Sequence, residues 1–187
     1  MRRGAFPGSF NPLTLGHLAV AEAARVQCSL DVVDLVVSRV ALAKEGVERP
    51  RLEDRVAVLR AAAASRPWLG VVVTDEQLIA DAAAGYDMVV MGADKWIQIM
   101  DPAFYGGSLQ ARDAALARLP TVAVAPRPPF DVPDGVVVLD VSHEASSTAV
   151  RDGQTEWMAP EAAAFDRQTG AWSDVDRYDN WLETQKE

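Results

Sequence analysis

Short valine-rich runs alternate with alanine-rich stretches of helical period along most of the chain, and this alternation constrains the fold more than any other feature. A run such as "DVVDLVVS" (31–38) or "YDMVVMG" (86–92) is apolar at nearly every position, so both faces of the strand it forms must be covered. Helical stretches between strands supply that cover when the strands run parallel. The pattern predicts strands over 3–8, 31–38, 69–73, 86–92, 121–125 and 136–140. It predicts helices over 15–27, 51–65, 75–84, from about Ala93, over 108–118 and over 146–152. The expected class is α/β, a five- or six-stranded parallel sheet with helices on both faces. Ligands of such sheets bind beyond the carboxyl ends of the strands, where strand order reverses.

The chain has 187 residues and a net charge of −9, unevenly spread. Nine acids and three bases lie beyond Arg151, so the tail holds six of the nine net negative charges. That balance argues against a nucleic-acid partner. It leaves room for a phosphate-bearing small molecule, because Arg39, Lys44, Arg49, Arg51, Arg55 and Arg60 crowd into one stretch. No apolar run approaches the roughly 20 residues that span a bilayer. Met1-Arg2-Arg3 lacks the apolar region of a signal peptide, and the single Cys28 allows no internal disulfide, so a cytoplasmic protein with an inert buried thiol is expected. After about Trp157 the composition shifts to acids and rings. We expect a domain over 1–156 and an extension over 157–187 packed on it by Trp157, Phe165, Trp172, Tyr178 and Trp181.

The stretch "GSFNPLTLGH" (8–17) bridges the first strand and the first helix. Backbone N–H groups and the positive pole of a helix gather there and suit an anion. Gly8 lets a phosphate approach the backbone, Ser9 and Thr14 add hydroxyls, and His17 adds a ring nitrogen in the first turn. The same residues also make an ordinary turn, with Thr14 as helix cap and His17 as a buried ring. Ser146, Ser147 and Thr148 cap the last core helix, and Arg151 lies on the same helical face as Ser147 and Thr148.

"GSFNPLTLGH" resembles the first signature of the nucleotidyltransferases that carry a His/Thr-x-Gly-His motif, and "SSTAVR" (146–151) resembles their second, Ile-Ser-Ser-Thr-x-x-Arg. "GAD" (92–94) lies between them in the family's order. The resemblance covers about residues 1–165 and implies a Rossmann-like sheet. In detail, "GAD" and "WMAPEAAAF" (157–165) are similar to nicotinate or nicotinamide mononucleotide adenylyltransferases, while "GSFNPLT" also resembles phosphopantetheine adenylyltransferases. The chain departs from the pattern at Pro7, which replaces a glycine, at Thr14, where many members have histidine, in "SRVALAKE" (38–45), and at Ala145, which replaces isoleucine.

The resemblance implies transfer of the adenylyl group of ATP to the 5′-phosphate of nicotinate or nicotinamide mononucleotide, with release of pyrophosphate. His17, Thr14, Arg151 and Lys44 are its implied catalytic residues. Gly8, Ser9, Phe10, Gly16, His17, Gly92, Asp94, Ser146, Ser147, Thr148 and Arg151 would hold ATP. Lys44, Trp96 and Tyr105 would meet the acceptor, with Phe104 as a further ring at that place. Thr14 would hold a phosphate or a magnesium-bound water, and Mg²⁺ would arrive with ATP, with no metal site built of protein residues. For Asp94 a ribose hydroxyl and a helix cap are both open; for Lys44, the phosphates or solvent beside Glu45. His143 is expected to be a loop residue. The partners expected are ATP and a small phosphorylated acceptor, with no nucleic acid, no membrane, and a homo-oligomer left open. The alternatives are a phosphopantetheine acceptor, a CTP donor, and a non-catalytic nucleotide-binding regulatory protein.

Overall fold

The valine-rich runs pair side by side in one six-stranded sheet, and every strand pair is parallel. The computed structural model describes residues 1–40, 49–141 and 143–186. Strands β1 (Arg3–Pro7), β2 (Val32–Ser38), β3 (Leu69–Thr74), β4 (Met88–Gly92), β5 (Thr121–Ala125) and β6 (Val137–Val138) stand in the order β3-β2-β1-β4-β5-β6. The helices are α1 (Leu15–Gln27), α2 (Leu52–Ala64), α3 (Ile79–Ala82), α4 (Ala93–Met100), α5 (Leu109–Leu116), α6 (Ser147–Arg151), α7 (Pro160–Thr169) and α8 (Val175–Thr184). This is the doubly wound, Rossmann-like arrangement that the alternating pattern predicts.

Successive residues of each strand face opposite sides of the sheet. Phe6, Leu35, Val37 and Val90 therefore join one buried cluster with α1, α2 and α7 residues, while Ala5, Val36, Val89 and Met91 join a second cluster on the other face. Two hydrophobic layers explain why the strands need apolar side chains at both parities. The reversal of strand order falls between β1 and β4, which pair through Gly4–Met88 and Ala5–Val89. β1 is followed by the loop "GSFNPLT", and β4 passes through "GAD" directly into α4.

Two elements are shorter than their sequence pattern predicts. The helix expected over 75–84 is one turn, α3, because the Thr74 hydroxyl accepts the Glu76 N–H at 3.1 Å and holds the chain in a turn first. The strand expected over 136–140 is the two-residue edge strand β6, which starts beyond the left-handed Gly135. Cys28 ends α1 as a buried thiol whose pKa burial raises.

Residues beyond 157 form α7 and α8 and lie against α2. Arg66 pairs with Glu161 at 2.8 Å and Arg49 with Asp179 at 2.8 Å. The fully buried Tyr178 accepts the Arg51 N–H at 2.9 Å and donates to the Asp54 carboxylate. Phe165 meets Trp172 and Trp181 edge-on at 5.9 and 5.5 Å, and Tyr178 stacks on Trp181. Among the described residues, no helix is long and apolar enough to cross a membrane.

Candidate active site

The loop between β1 and α1 carries on the sheet's hydrogen bonding for one residue, with Gly8 N–H donating to the Val36 carbonyl at 3.0 Å. Phe10 then takes a left-handed backbone (φ 45) and turns its ring inward, edge-on to Phe6 at 5.5 Å and to His17 at 5.1 Å. A side chain at Gly8 would lie 2.9 Å from that ring, so the glycine makes room for phenylalanine. Phe10 is 2% exposed. Its ring packs edge-on against the imidazole, so any part of Phe10 that meets ATP is its backbone. Ser9 is exposed, and its carbonyl accepts from the buried Arg55 at 2.8 Å.

Thr14 and His17 form a reciprocal cap at the start of α1. The Thr14 hydroxyl accepts the His17 N–H at 3.3 Å, and His17 Nδ1 accepts the Thr14 N–H at 3.1 Å. Because Nδ1 is an acceptor in this pair, the ring proton is on Nε2, which is left as a donor. Thr14 is fully buried and its oxygen lies 2.8 Å from Nδ1. In this structure the Thr14 hydroxyl is bonded to His17 through both the ring and the backbone N–H.

Burial, assisted by the Arg127 guanidinium, lowers the His17 pKa to about 4. The ring is neutral near neutral pH and donates without carrying charge. An unfolded chain takes up the proton at the ordinary value of 6.5, before the folded one does. The stability that the neutral ring supports is complete above that value and is lost as pH falls towards and through about 4. The unfolding free energy of the native chain minus that of His17→Ala should therefore fall across this interval. Denaturant melts of both proteins along a pH series check this, and a flat difference would contradict a buried neutral ring.

The last core helix is tied to the first loop. Ser146 caps α6 by accepting the Ala149 N–H at 3.1 Å. The Ser147 hydroxyl donates to the Pro12 carbonyl at 2.8 Å, and Arg151 donates to the Asn11 carbonyl and lies 3.4 Å from the Thr148 hydroxyl. At Gly16 a side chain would collide with the Ala145 carbonyl oxygen, so this glycine sets how closely α1 and the entry to α6 approach. The two ends of the sequence motif are therefore one contiguous assembly.

Gly92 ends β4 and is itself the cap residue of α4; Asp94 lies inside the first turn, not at the cap. Asp94 pairs with Arg127 at 3.7 Å. Arg127 follows β5, and its charge also acts on His17, so it links the third strand-end loop to the first. Arg127 stands in the proline-rich stretch 126–135, outside the motifs that the sequence analysis draws on. Its position just past a strand's carboxyl end was the available signal. Pro126, Arg127, Val138, Leu139, His143 and Glu144 line a cleft of about 800 Å³ beside this loop. His143 is exposed and its Nδ1 accepts the Ala145 N–H at 3.0 Å.

Trp96 packs against the second hydrophobic cluster, and the Tyr105 hydroxyl donates to the Ile99 carbonyl at 2.9 Å. Both residues are half-buried. Lys44 lies outside the described residues. Among the described residues, no group of three or more His, Cys, Asp or Glu is placed to hold a metal ion.

A parallel sheet whose β1 and β4 ends flank the reversal of strand order has the arrangement in which α/β folds bind ligands at the strand ends. The chain belongs to the cytidylyltransferase-like family, whose model matches residues 5–153. It is similar to a phosphopantetheine adenylyltransferase of Paracoccus denitrificans (strain Pd 1222), 37% identical over 98 residues that cover 49% of this chain and 57% of that protein. A phosphopantetheine adenylyltransferase of Cereibacter sphaeroides (strain ATCC 17029 / ATH 2.4.9) matches to the same extent. A probable nicotinate-nucleotide adenylyltransferase of Gloeobacter violaceus is 36% identical over 74 residues, 40% of this chain and 36% of that protein. The chain spans about half the length of the first two relatives and less of the third.

Proposed function

We propose that the protein transfers the adenylyl group of ATP to the phosphate of a small acceptor. An acceptor phosphate oxygen forms a bond to the α-phosphorus while the bond from that phosphorus to the α–β bridging oxygen breaks, and pyrophosphate leaves. Such a transfer needs alignment and electrostatic stabilisation more than covalent chemistry. The His17 Nε2–H donates to an α-phosphate oxygen. Arg151, on the face of α6 turned to the loop carbonyl of Asn11, supplies a guanidinium fork for the outer phosphates. Arg127 adds positive charge beside the imidazole, and Asp94 holds Arg127 or a ribose hydroxyl. Magnesium travels with the triphosphate; the described carboxylates form no cage for a resident ion. In this reading residues 1–156 form the catalytic unit and 157–187 brace it.

The observation that carries the proposal is the coupling of the two motifs: the capped, neutral His17 and the Arg151 guanidinium are both bonded to the segment 11–14. For the acceptor, the relatives favour phosphopantetheine, since the more extensive matches bear that name. A nicotinate or nicotinamide mononucleotide acceptor, and hence a role in making NAD, is the second reading. It is favoured by the "GAD" turn and by the docking of 157–159 on the first loop, where Ala159 N–H donates to the Leu13 carbonyl at 3.0 Å. Packing of Trp96 against the second hydrophobic cluster weighs against its acting as a stacking platform for a pyridine.

Pyrophosphate release from ATP or CTP with each acceptor in turn separates these readings. Turnover with phosphopantetheine is the expected result, turnover only with a pyridine mononucleotide selects the second reading, and turnover only with CTP changes the donor. ATP binding with no pyrophosphate from any acceptor would leave a regulatory nucleotide-binding protein. In the same assay Arg151→Ala should raise KM for ATP and lower kcat, together about 2–4 kcal/mol of lost transition-state stabilisation. An unchanged ATP dependence would remove Arg151 from the site.

A further inference from the structure

We propose that Trp172, in the turn between α7 and α8, is a positioning residue for the phosphate-binding loop: its indole N–H fixes the Asn11 side chain, and the Asn11 carbonyl in turn holds Arg151. This rests on the assignment of Arg151 to ATP above. The family match ends at residue 153, so nothing in the matched region supplies this contact.

The indole Nε1–H donates to Asn11 Oδ1 at 2.7 Å across 161 positions of sequence. Asn11 is 6% exposed, so an amide oxygen that loses this donor is left facing protein. On the same residue the backbone carbonyl accepts from Arg151, and on the next the Pro12 carbonyl accepts from Ser147. Two successive residues of the loop thus bond to α6, and the first of them bonds to the extension as well.

The turn that presents the indole is itself held firmly. Asp166 Oδ1 accepts the Trp172 and Ser173 N–H groups at 2.7 and 3.1 Å, and Asp166 is 7% exposed. The Thr169 hydroxyl donates to the Phe165 carbonyl and accepts the Ala171 N–H. Gly170 is left-handed (φ 75), and a side chain there would lie 2.8 Å from the Asp174 carbonyl oxygen. The Phe165 ring packs edge-on against the indole. Trp172 could serve packing alone without its N–H; the short, buried bond to a loop that also carries the Arg151 contact distinguishes a positioning role.

Trp172→Phe keeps the ring against Phe165 and deletes only the donor. With the full chain, ATP titrations, steady-state kinetics and thermal melts are the measurements. The expected result is a melting temperature within a few degrees of the native chain, with Kd and KM for ATP raised about five- to tenfold and kcat changed less than about twofold. Placed in an Arg151→Ala background, the same substitution should cost less than about twofold more, because its effect passes through Arg151. Should Trp172→Phe fail to fold, Asn11→Ser removes the contact from the other side, with the same ATP loss expected. Native-like ATP affinity in the folded variant, or an undiminished loss in the Arg151→Ala background, overturns the proposal. Absence of ATP binding by the native chain overturns the functional reading, and this inference with it; ATP binding by both native chain and variant with equal affinity overturns only this inference.

Discussion

His17→Ala should fold and should lose at least about a hundredfold in kcat, the scale seen when one preorganised donor is removed from a developing oxyanion. The substitution removes the Nε2–H and also one half of the Thr14–His17 cap, for which about 0.5–2 kcal/mol of stability is the ordinary cost. The two effects separate with His17→Asn. A short amide oxygen can still accept the Thr14 N–H, which lies 3.1 Å from Nδ1 in the native chain, yet no donor reaches as far as Nε2. His17→Asn should therefore recover stability and not turnover. Pyrophosphate release measures kcat and a denaturant melt measures the cap. Native turnover from either variant would mean that the imidazole does not touch the reacting phosphate.

The second large effect is expected at a residue with no functional group. Gly16→Ala places a methyl against the Ala145 carbonyl, and backbone cannot swing aside as a flexible side chain can. The entry to α6 must retreat from α1, drawing Ser147 from the Pro12 carbonyl and Arg151 from the Asn11 carbonyl. A displacement of about 1 Å in a phosphoryl-transfer site is enough for a loss on the order of a hundredfold in kcat/KM. Stability should fall by only about 1–3 kcal/mol, the usual range for overpacking, and alanine's better helix propensity offsets part of it. Kinetics beside a thermal melt check this. Full activity in Gly16→Ala would show that the close approach of the two motifs is incidental to catalysis.

Much of this site was legible before any coordinates, for a physical reason. Thr14, Gly16 and His17 lie at the start of α1, and Ser146, Ser147, Thr148 and Arg151 along α6, so spacing alone reports which of them are neighbours. What spacing could not report is how each polar atom is spent. Thr14 is consumed by the imidazole, and Phe10 turns inward through a left-handed backbone that an aromatic residue rarely adopts. Tyr105, a ring at a plausible stacking position, gives its hydroxyl to the Ile99 carbonyl. Arg127 was hidden by its setting in a proline-rich loop, and nothing near it in sequence points to Asp94 or His17.

The parallel sheet was determined by the sequence itself. Strands buried on both faces must be apolar at both parities, and that demand is written into β1 to β5, runs of five to seven residues, independently of their neighbours. The tertiary structure alone decided which carbonyls and donors meet over the first loop. Ser147 reaches Pro12 across 135 positions, Arg151 reaches Asn11 across 140, and Trp172 reaches the same asparagine across 161. No periodicity encodes such pairs, because each depends on the strand order that brings β1's exit, α6 and the α7–α8 turn to one place.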